Sequence, residues 1–285
     1  FDPARPIGWV RGRELPGLRP VWLPAELVYL NSFDDLLAPP DSTGMAAGPD
    51  LQSAILAGLF EVVERDAFTV TWLARQPAAR ADSSMSGALD RSIVPHYGRR
   101  GVAVRLYRLS SPVPIAVILA LAVDPAGRGP AAVVGLGCHL DPSVAARKAL
   151  FELCQVRPGV PPDAGSRLET PSDVRTLEDH AGYYASPQRL TEFAFLDSDT
   201  TADGTNRSTG SLAGDIEFCV QELARAGCRT AYVDITAPEL EEFPIRVARV
   251  VVTGLQPIHF GYGMERLGSR RAPKKNWNPA PHPLA

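Results

Sequence analysis

Cysteine is scarce in this chain, and the four that occur (Cys138, Cys154, Cys219 and Cys228) never fall into a CxxC pair. That spacing excludes a zinc knuckle and offers no disulfide framework, so the thiols read as reduced core residues. Long apolar runs are missing as well. The strongest, Ile115 to Val123, stops at Asp124, far short of the ~20 residues a membrane helix needs, and the chain reads as soluble. Neither sign of charge dominates: 29 basic against 32 acidic side chains leave a formal charge of −3, which gives no bulk attraction to nucleic acid or to an anionic membrane. Neither GxxxxGK[ST] nor GxGxxG occurs, so any nucleotide has to be held by other means. None of the five histidines has metal-ligand spacing to another. The opening Phe1-Asp2-Pro3 carries no initiator methionine, basic segment or apolar segment of a secretory signal, and the expectation is a cytoplasmic piece of a longer protein.

What is present is enough for a substantial core: 285 residues, 45% of them apolar and 21% charged. Apolar Val, Ile and Leu runs alternate with helix-period segments, which predicts an α+β fold of mixed α/β layers. The expected strands are Val21–Tyr29, Val102–Leu109, Ile115–Val123, Ala131–Leu140, Arg229–Ile235 and Ile245–Thr253. The expected helices are Asp50–Leu73, Pro142–Val156, Ser172–Ala185 and Gly214–Ala226. The 27 prolines concentrate in connections and at the C-terminal end. Residues 197–211 hold no large apolar side chain and read as a mobile surface insertion. Two segments share a plan: Gly48-Pro49-Asp50 launches a helix carrying Glu61, and Asp141-Pro142 launches one carrying Glu152. They hint at two related β-then-α units.

The first of these helices is the informative one. Glu61, Glu64 and Arg65 lie within an arc of about 100°, beside the small residues Ala57 and Gly58, while Leu56, Leu59, Val63 and Ala67 occupy the opposite arc. Such a face has room for a ligand. From spacing alone, the plainer reading is a solvated surface with a Glu61–Arg65 pair worth only tenths of a kcal/mol. On the second helix Lys148, Glu152 and Gln155 share one face at i, i+4 and i+7. Glu oxygens suit Mg²⁺, Arg and Lys suit phosphate, and Gln reads a base or orients a carboxylate. Ser42-Thr43-Gly44 forms a small-residue turn ahead of the first helix that lays hydroxyls or amides against a phosphate. Asp66 falls on the apolar side of its helix, as an internal ion pair or hydrogen-bond anchor would. His259 reads as structural. The alternating prolines Pro279, Pro281 and Pro283 favour an extended tail, read either as a frayed terminus or as a preset rod threaded into a site.

Together these strings resemble the YcaO family. The resemblance rests on Asp41-Ser42-Thr43-Gly44-Met45-Ala46-Ala47-Gly48-Pro49-Asp50, on Leu59-Phe60-Glu61-Val62-Val63-Glu64-Arg65-Asp66-Ala67-Phe68 and on Lys148-Ala149-Leu150-Phe151-Glu152-Leu153-Cys154-Gln155-Val156-Arg157. Gly254-Leu255-Gln256-Pro257-Ile258-His259-Phe260-Gly261 and the proline tail follow in the same order. The resemblance implies an ATP- and Mg²⁺-dependent enzyme that activates backbone amides of a ribosomally made precursor peptide, turning Cys, Ser or Thr into azolines. It places Ser42, Glu61, Glu64, Arg65, Lys148, Glu152 and Gln155 on the nucleotide, with Glu61, Glu64 and Glu152 on Mg²⁺, and ties Pro279, Pro281 and Pro283 to cyclisation. Lys148 stands where many relatives carry Arg, keeping the charge but losing bidentate geometry. Leu284 and Ala285 follow the last proline, which shifts the terminal carboxylate. The resemblance further implies an absent N-terminal portion, a leader-peptide-binding partner or fused upstream domain, a flavin-dependent dehydrogenase acting afterwards, and room for a homodimer. Thioamide or amidine formation by the same amide activation, and a catalytically silent peptide-binding scaffold, are the alternatives.

Overall fold

The computed structural model describes residues 6–30, 39, 41–81, 87–161 and 163–284. They fall into two compact units, one drawn from Phe1–Val62 and Ser208–Leu255, the other from Val63–Arg207 and Gln256–Ala285. The mixed α+β class expected from the apolar pattern is the one found.

In the first unit, strands β1 (Trp9–Leu15), β2 (Arg19–Pro24), β3 (Met45–Gly48), β8 (Thr230–Asp234) and β9 (Arg246–Val252) form one antiparallel sheet in the order β2-β1-β8-β9-β3. Helix α6 (Leu212–Arg225) buries Cys219, Val220 and Leu223. Its N-cap Ser211 accepts from Gly214 N at 3.1 Å, the usual way to satisfy a first-turn amide. Helix α1 (Leu51–Ala74) starts in this unit and runs without a break into the second.

In the second unit, β4 (Ala79–Arg80), β5 (Ala103–Leu109), β6 (Ala116–Val123) and β7 (Ala132–His139) make an antiparallel meander. Nearly every residue of β6 and β7 is buried. This explains why these strands read as continuous apolar runs and not as alternating ones. Helix α2 (Gly87–Gly98) precedes β5, and α3 (Pro142–Gly159) lies against β7. The short helices α4 (Ala164–Arg167) and α5 (Leu177–Tyr183) complete the unit. The approach of α3 to β7 is set by Gly135 and Gly137, where a Cβ would collide with the α3 backbone at Ala149 and Ala145.

Two readings are corrected by the structure. The strand expected over Val21–Tyr29 ends at Pro24, where a 3-10 turn, Ala25–Leu27, takes over. The helix expected over Ser172–Ala185 is interrupted. Two capping boxes follow one another, Thr170 with Asp173 and Thr176 with Asp179, so a 3-10 turn (Pro171–Asp173) ends before α5 begins. Residues 197–211 lie mostly at the surface and make polar contacts with the fold. Asp197 meets Arg80 and the Tyr107 hydroxyl at 2.8 Å each, Thr201 bridges Arg80, Asn206 donates to Asp141 at 3.0 Å, and Asp215 accepts from Ser208 and Thr209. All four cysteines are free thiols.

Candidate active site

The loop before α1 is fixed from three directions. Asp41 Oδ1 accepts from Thr43 N at 2.8 Å. The buried Arg249 of β9 donates to the Leu27 and Asp41 carbonyls at 3.0 and 2.9 Å. Gly44 adopts φ +83°, a conformation side chains resist, and a Cβ there would strike the Val250 carbonyl. With that geometry the Gly44 carbonyl accepts from Val250 N at 2.7 Å, while its own N–H turns outward to Glu61 Oε2 at 2.9 Å. Ser42 stays exposed on this loop, and Glu61 is half-buried.

Glu64 and Arg65 follow on α1, both half-buried. Asp66, next in sequence, is fully buried. Its Oδ1 accepts from Gln256 N at 2.7 Å and from Arg271 Nε at 2.6 Å, so it is the internal ion pair its position on the apolar side suggested. Burial raises the Asp66 pKa, against the lowering influence of the Arg271 and Gln256 hydrogen bonds. Arg271→Ala leaves that carboxyl buried without its cation, a change that costs about 3–5 kcal/mol in comparable pairs. Denaturant unfolding of the variant should show a loss of that size.

The second β-then-α unit repeats the first. Asp141 caps α3, accepting from Ser143 N at 2.8 Å, with Pro142 at the first position. Glu152 Oε2 accepts from Leu136 N of β7 at 3.1 Å, and Lys148 Nζ donates to the Cys138 carbonyl at 3.3 Å. Both partners lie on β7, an outer strand of its sheet. In each unit, then, a helix glutamate accepts an amide from the edge strand or the residue just before it, 17 and 16 residues upstream. Each bond anchors one oxygen of a group that offers two. Glu152 is half-buried, while Lys148 and Gln155 are exposed.

The proline tail is docked, not frayed. Asn278 N donates to the Leu73 carbonyl at 2.7 Å and Trp72 Nε1 to the Ala280 carbonyl at 2.8 Å. The Tyr184 hydroxyl donates to the Pro281 carbonyl. Pro279 is exposed, whereas Pro281, His282, Pro283 and Leu284 are buried. Ala285 lies outside the described residues.

Three buried histidines hold this end of the chain. His180 Nδ1 donates to the His282 carbonyl at 2.7 Å while its Nε2 accepts from Gly261 N at 2.8 Å, which fixes one neutral tautomer. His180 stacks on His282 at 4.0 Å, and His282 Nε2 donates to the His259 carbonyl. The His259 ring is itself buried, with its Nε2 3.9 Å from Glu265 Oε1. Burial lowers His180 and His259 to about 4. Burial, then the neighbouring His180 and His259 and the Arg65 guanidinium, hold His282 well below the usual range. The tail packs on the C-terminal half of α1 through Phe68, which meets the His282 ring edge-on, and through Trp72 and Leu73.

Because these histidines bind protons less readily when folded, their contribution is complete above an unfolded value near 6.5 and is lost as pH falls toward about 4. The expected result is a fall in melting temperature between those limits. His180→Gln should flatten that fall.

Among the described residues no three His, Cys, Asp or Glu side chains are gathered as a ready metal cluster. Mg²⁺ does not require one, since it is commonly held by one or two carboxylates, water and substrate phosphates. Glu61, Glu64 and Glu152, each half-buried, carry the hard oxygen donors that such an ion takes. Among the same residues no helix is long and apolar enough to cross a membrane.

The family model described as YcaO cyclodehydratase, ATP- and Mg²⁺-binding, matches residues 1–256. The chain belongs to the YcaO family. An uncharacterized protein of Methanothermobacter thermautotrophicus (strain Delta H) is 31% identical over 279 residues, covering 93% of this chain and 69% of the relative. A solved heterocyclase in complex with substrate and cofactor superposes with TM-score 0.82 at 25% identity, covering all of this chain but 39% of that one. YcaO from Methanopyrus kandleri bound with AMPPCP and Mg²⁺ gives TM-score 0.66 at 28% identity, over 90% of this chain and 66% of that one. The chain therefore spans well under half of the heterocyclase it matches.

Within this YcaO chain, sequence reasoning missed His180, Trp72 and Tyr184, the residues that grip the tail. Their partners lie 102, 208 and 97 positions away. No local pattern reports such pairings. Arg249 was missed for the same reason, although an arginine inside the apolar β9 run was a visible anomaly.

Proposed function

We propose that the chain is the catalytic part of an ATP-dependent peptide cyclodehydratase that converts Cys, Ser or Thr of a ribosomally made precursor into thiazoline or (methyl)oxazoline rings. The observation that carries this reading is the docked PxPxP tail, held on Phe68, Trp72 and Leu73 of α1 with Pro281 and Pro283 buried. In the reaction the side-chain thiol or hydroxyl adds to the preceding amide carbon. The amide oxygen then leaves as phosphate, and loss of the amide proton forms the C=N bond. The peptide loses one water per ring, and ATP becomes ADP and phosphate.

ATP supplies the phosphoryl group that makes the amide oxygen a leaving group, and Mg²⁺ offsets the charge on the phosphates. Glu61, Glu64 and Glu152 would hold the metal. Ser42, Arg65, Lys148 and Gln155 would hold the phosphates and base, with the backbone bonds to Gly44 and Leu136 orienting two of the glutamates in advance. Pro279, Pro281 and Pro283 present the end of the chain in a fixed extended form, which lowers the entropy of bringing a proton acceptor to the attacking side chain. A leader-binding partner or fused domain, and a flavin-dependent dehydrogenase acting on the rings, complete the proposal.

Mass spectrometry of a Cys/Ser/Thr-rich precursor, incubated with this chain, its leader-binding partner, Mg²⁺ and ATP, tests the reading. One water lost per phosphate released is expected. Exchange of oxygen for sulfur would assign thioamide formation instead, and ATP consumption without any mass change would contradict both.

A further inference from the structure

The face of the five-stranded sheet on which α1 packs continues beyond that helix onto the β1–β2 hairpin. Register fixes which side chains it carries. Val250 of β9 points toward α1, close enough that a Cβ on Gly58 would meet it. Tyr232 lies opposite Val250 and Arg13 opposite Tyr232, and alternation along β1 puts Trp9 and Arg11 on the same side as Arg13. Across the hairpin Pro24, Trp22 and Pro20 stand opposite Trp9, Arg11 and Arg13, so all six share one face.

That face is open. Trp9 is 55% and Trp22 62% exposed, an unusual apolar investment for a surface with nothing to bind. Beside it a groove of about 300 Å³ is lined by Arg11, Arg13 and Pro20, by Leu51 at the first turn of α1, and by Tyr232 and Asp234.

Two features select the occupant. Pro20 and Pro24 lack N–H donors, which blunts β2 as an edge for a further strand, so recognition runs across the face of the hairpin. The charged side chains lining the groove are two arginines, Arg11 and Arg13, against one acid, Asp234, in a chain of net charge −3; Asp50, accepting from Ser53 N at 2.8 Å, offsets the end of α1 itself. The acid nearby, Asp234, is drawn into its own turn by Thr236 N and Oγ1 at 3.0 and 2.6 Å. Glu14, on the opposite side of β1, is paired with Arg19 and Arg229. Tryptophan and arginine are also the residue types that anchor protein interfaces.

We propose that this face binds an extended acidic peptide segment, with its carboxylates on Arg11 and Arg13 and an apolar side chain packed on Trp9 and Trp22. Nucleotide chemistry plays no part, so the proposal can fail without touching the cyclodehydratase reading. The test is fluorescence anisotropy, without ATP, of a labelled decapeptide of alternating Glu and Leu against its Lys/Leu counterpart.

The Glu probe should bind at least about tenfold more tightly, and salt should weaken it. Arg11→Glu and Trp22→Ala should each lower that affinity about tenfold with unchanged circular dichroism. Equal binding of the two probes, or affinity indifferent to both variants, would overturn the proposal. So would light scattering that shows a Trp22-dependent dimer which binds neither probe.

Discussion

Glu61→Gln should fold as the parent does and yet lose ATP-dependent turnover by about 100- to 1000-fold, the scale of removing one preorganised electrostatic contact from a transition state. Glutamine keeps an oxygen that can accept from Gly44 N, the bond made at 2.9 Å in the parent, but it removes the charge that would face Mg²⁺. Glu61→Ala removes both, so it should lose activity and also loosen the loop around Ser42. Comparing the two variants by melting temperature and phosphate release separates the roles. If Glu61→Gln melts lower in proportion to its lost activity, the carboxylate is a structural anchor and the metal assignment is wrong.

Deleting Pro279–Ala285 should slow ring formation by about 100-fold while changing the KM for ATP only severalfold, because a lost positioning element costs proximity and not nucleotide contacts. The deletion also strips partners from Trp72, Tyr184 and His180, so some loss of stability accompanies it. Pro279→Ala, at the exposed proline of the tail, keeps every carbonyl in place while freeing one φ angle, and it should reproduce part of the kinetic defect with little change in melting temperature. Ring formation at the parent rate in the deletion would remove the tail from the mechanism.

The parts of the fold that were legible in the sequence are those whose signal is local. The six apolar runs became strands β2 and β5–β9, and the apolar stripe Leu56, Leu59, Val63 and Ala67 is buried along α1. Strand β1 was missed because its outward positions are Trp9, Arg11 and Arg13, and an inward one is Gly12, where a Cβ would meet the Tyr232 carbonyl. No apolar alternation survives in such a strand. Strand β3, Met-Ala-Ala-Gly, is too short and small-chained to register as one.

The site was half legible for similar reasons. Spacing placed Glu61, Glu64 and Arg65 on one helix, and Lys148, Glu152 and Gln155 on another, but spacing alone left both faces open to a solvated reading. What spacing does not carry is the pair of backbone amides that Glu61 and Glu152 accept, or the histidine clamp that turns a proline-rich end into a docked one. Both depend on contacts between segments remote in sequence.

The central claim is that the amide oxygen of the substrate becomes a phosphate oxygen. The most direct measurement uses a precursor peptide with ¹⁸O in the backbone carbonyl preceding the modified Cys, Ser or Thr, incubated with the chain, its leader-binding partner and Mg·ATP. Mass analysis of the released phosphate should find one ¹⁸O per ring formed, whereas unlabelled phosphate released alongside ring formation would show that ATP is hydrolysed by water and would contradict the account.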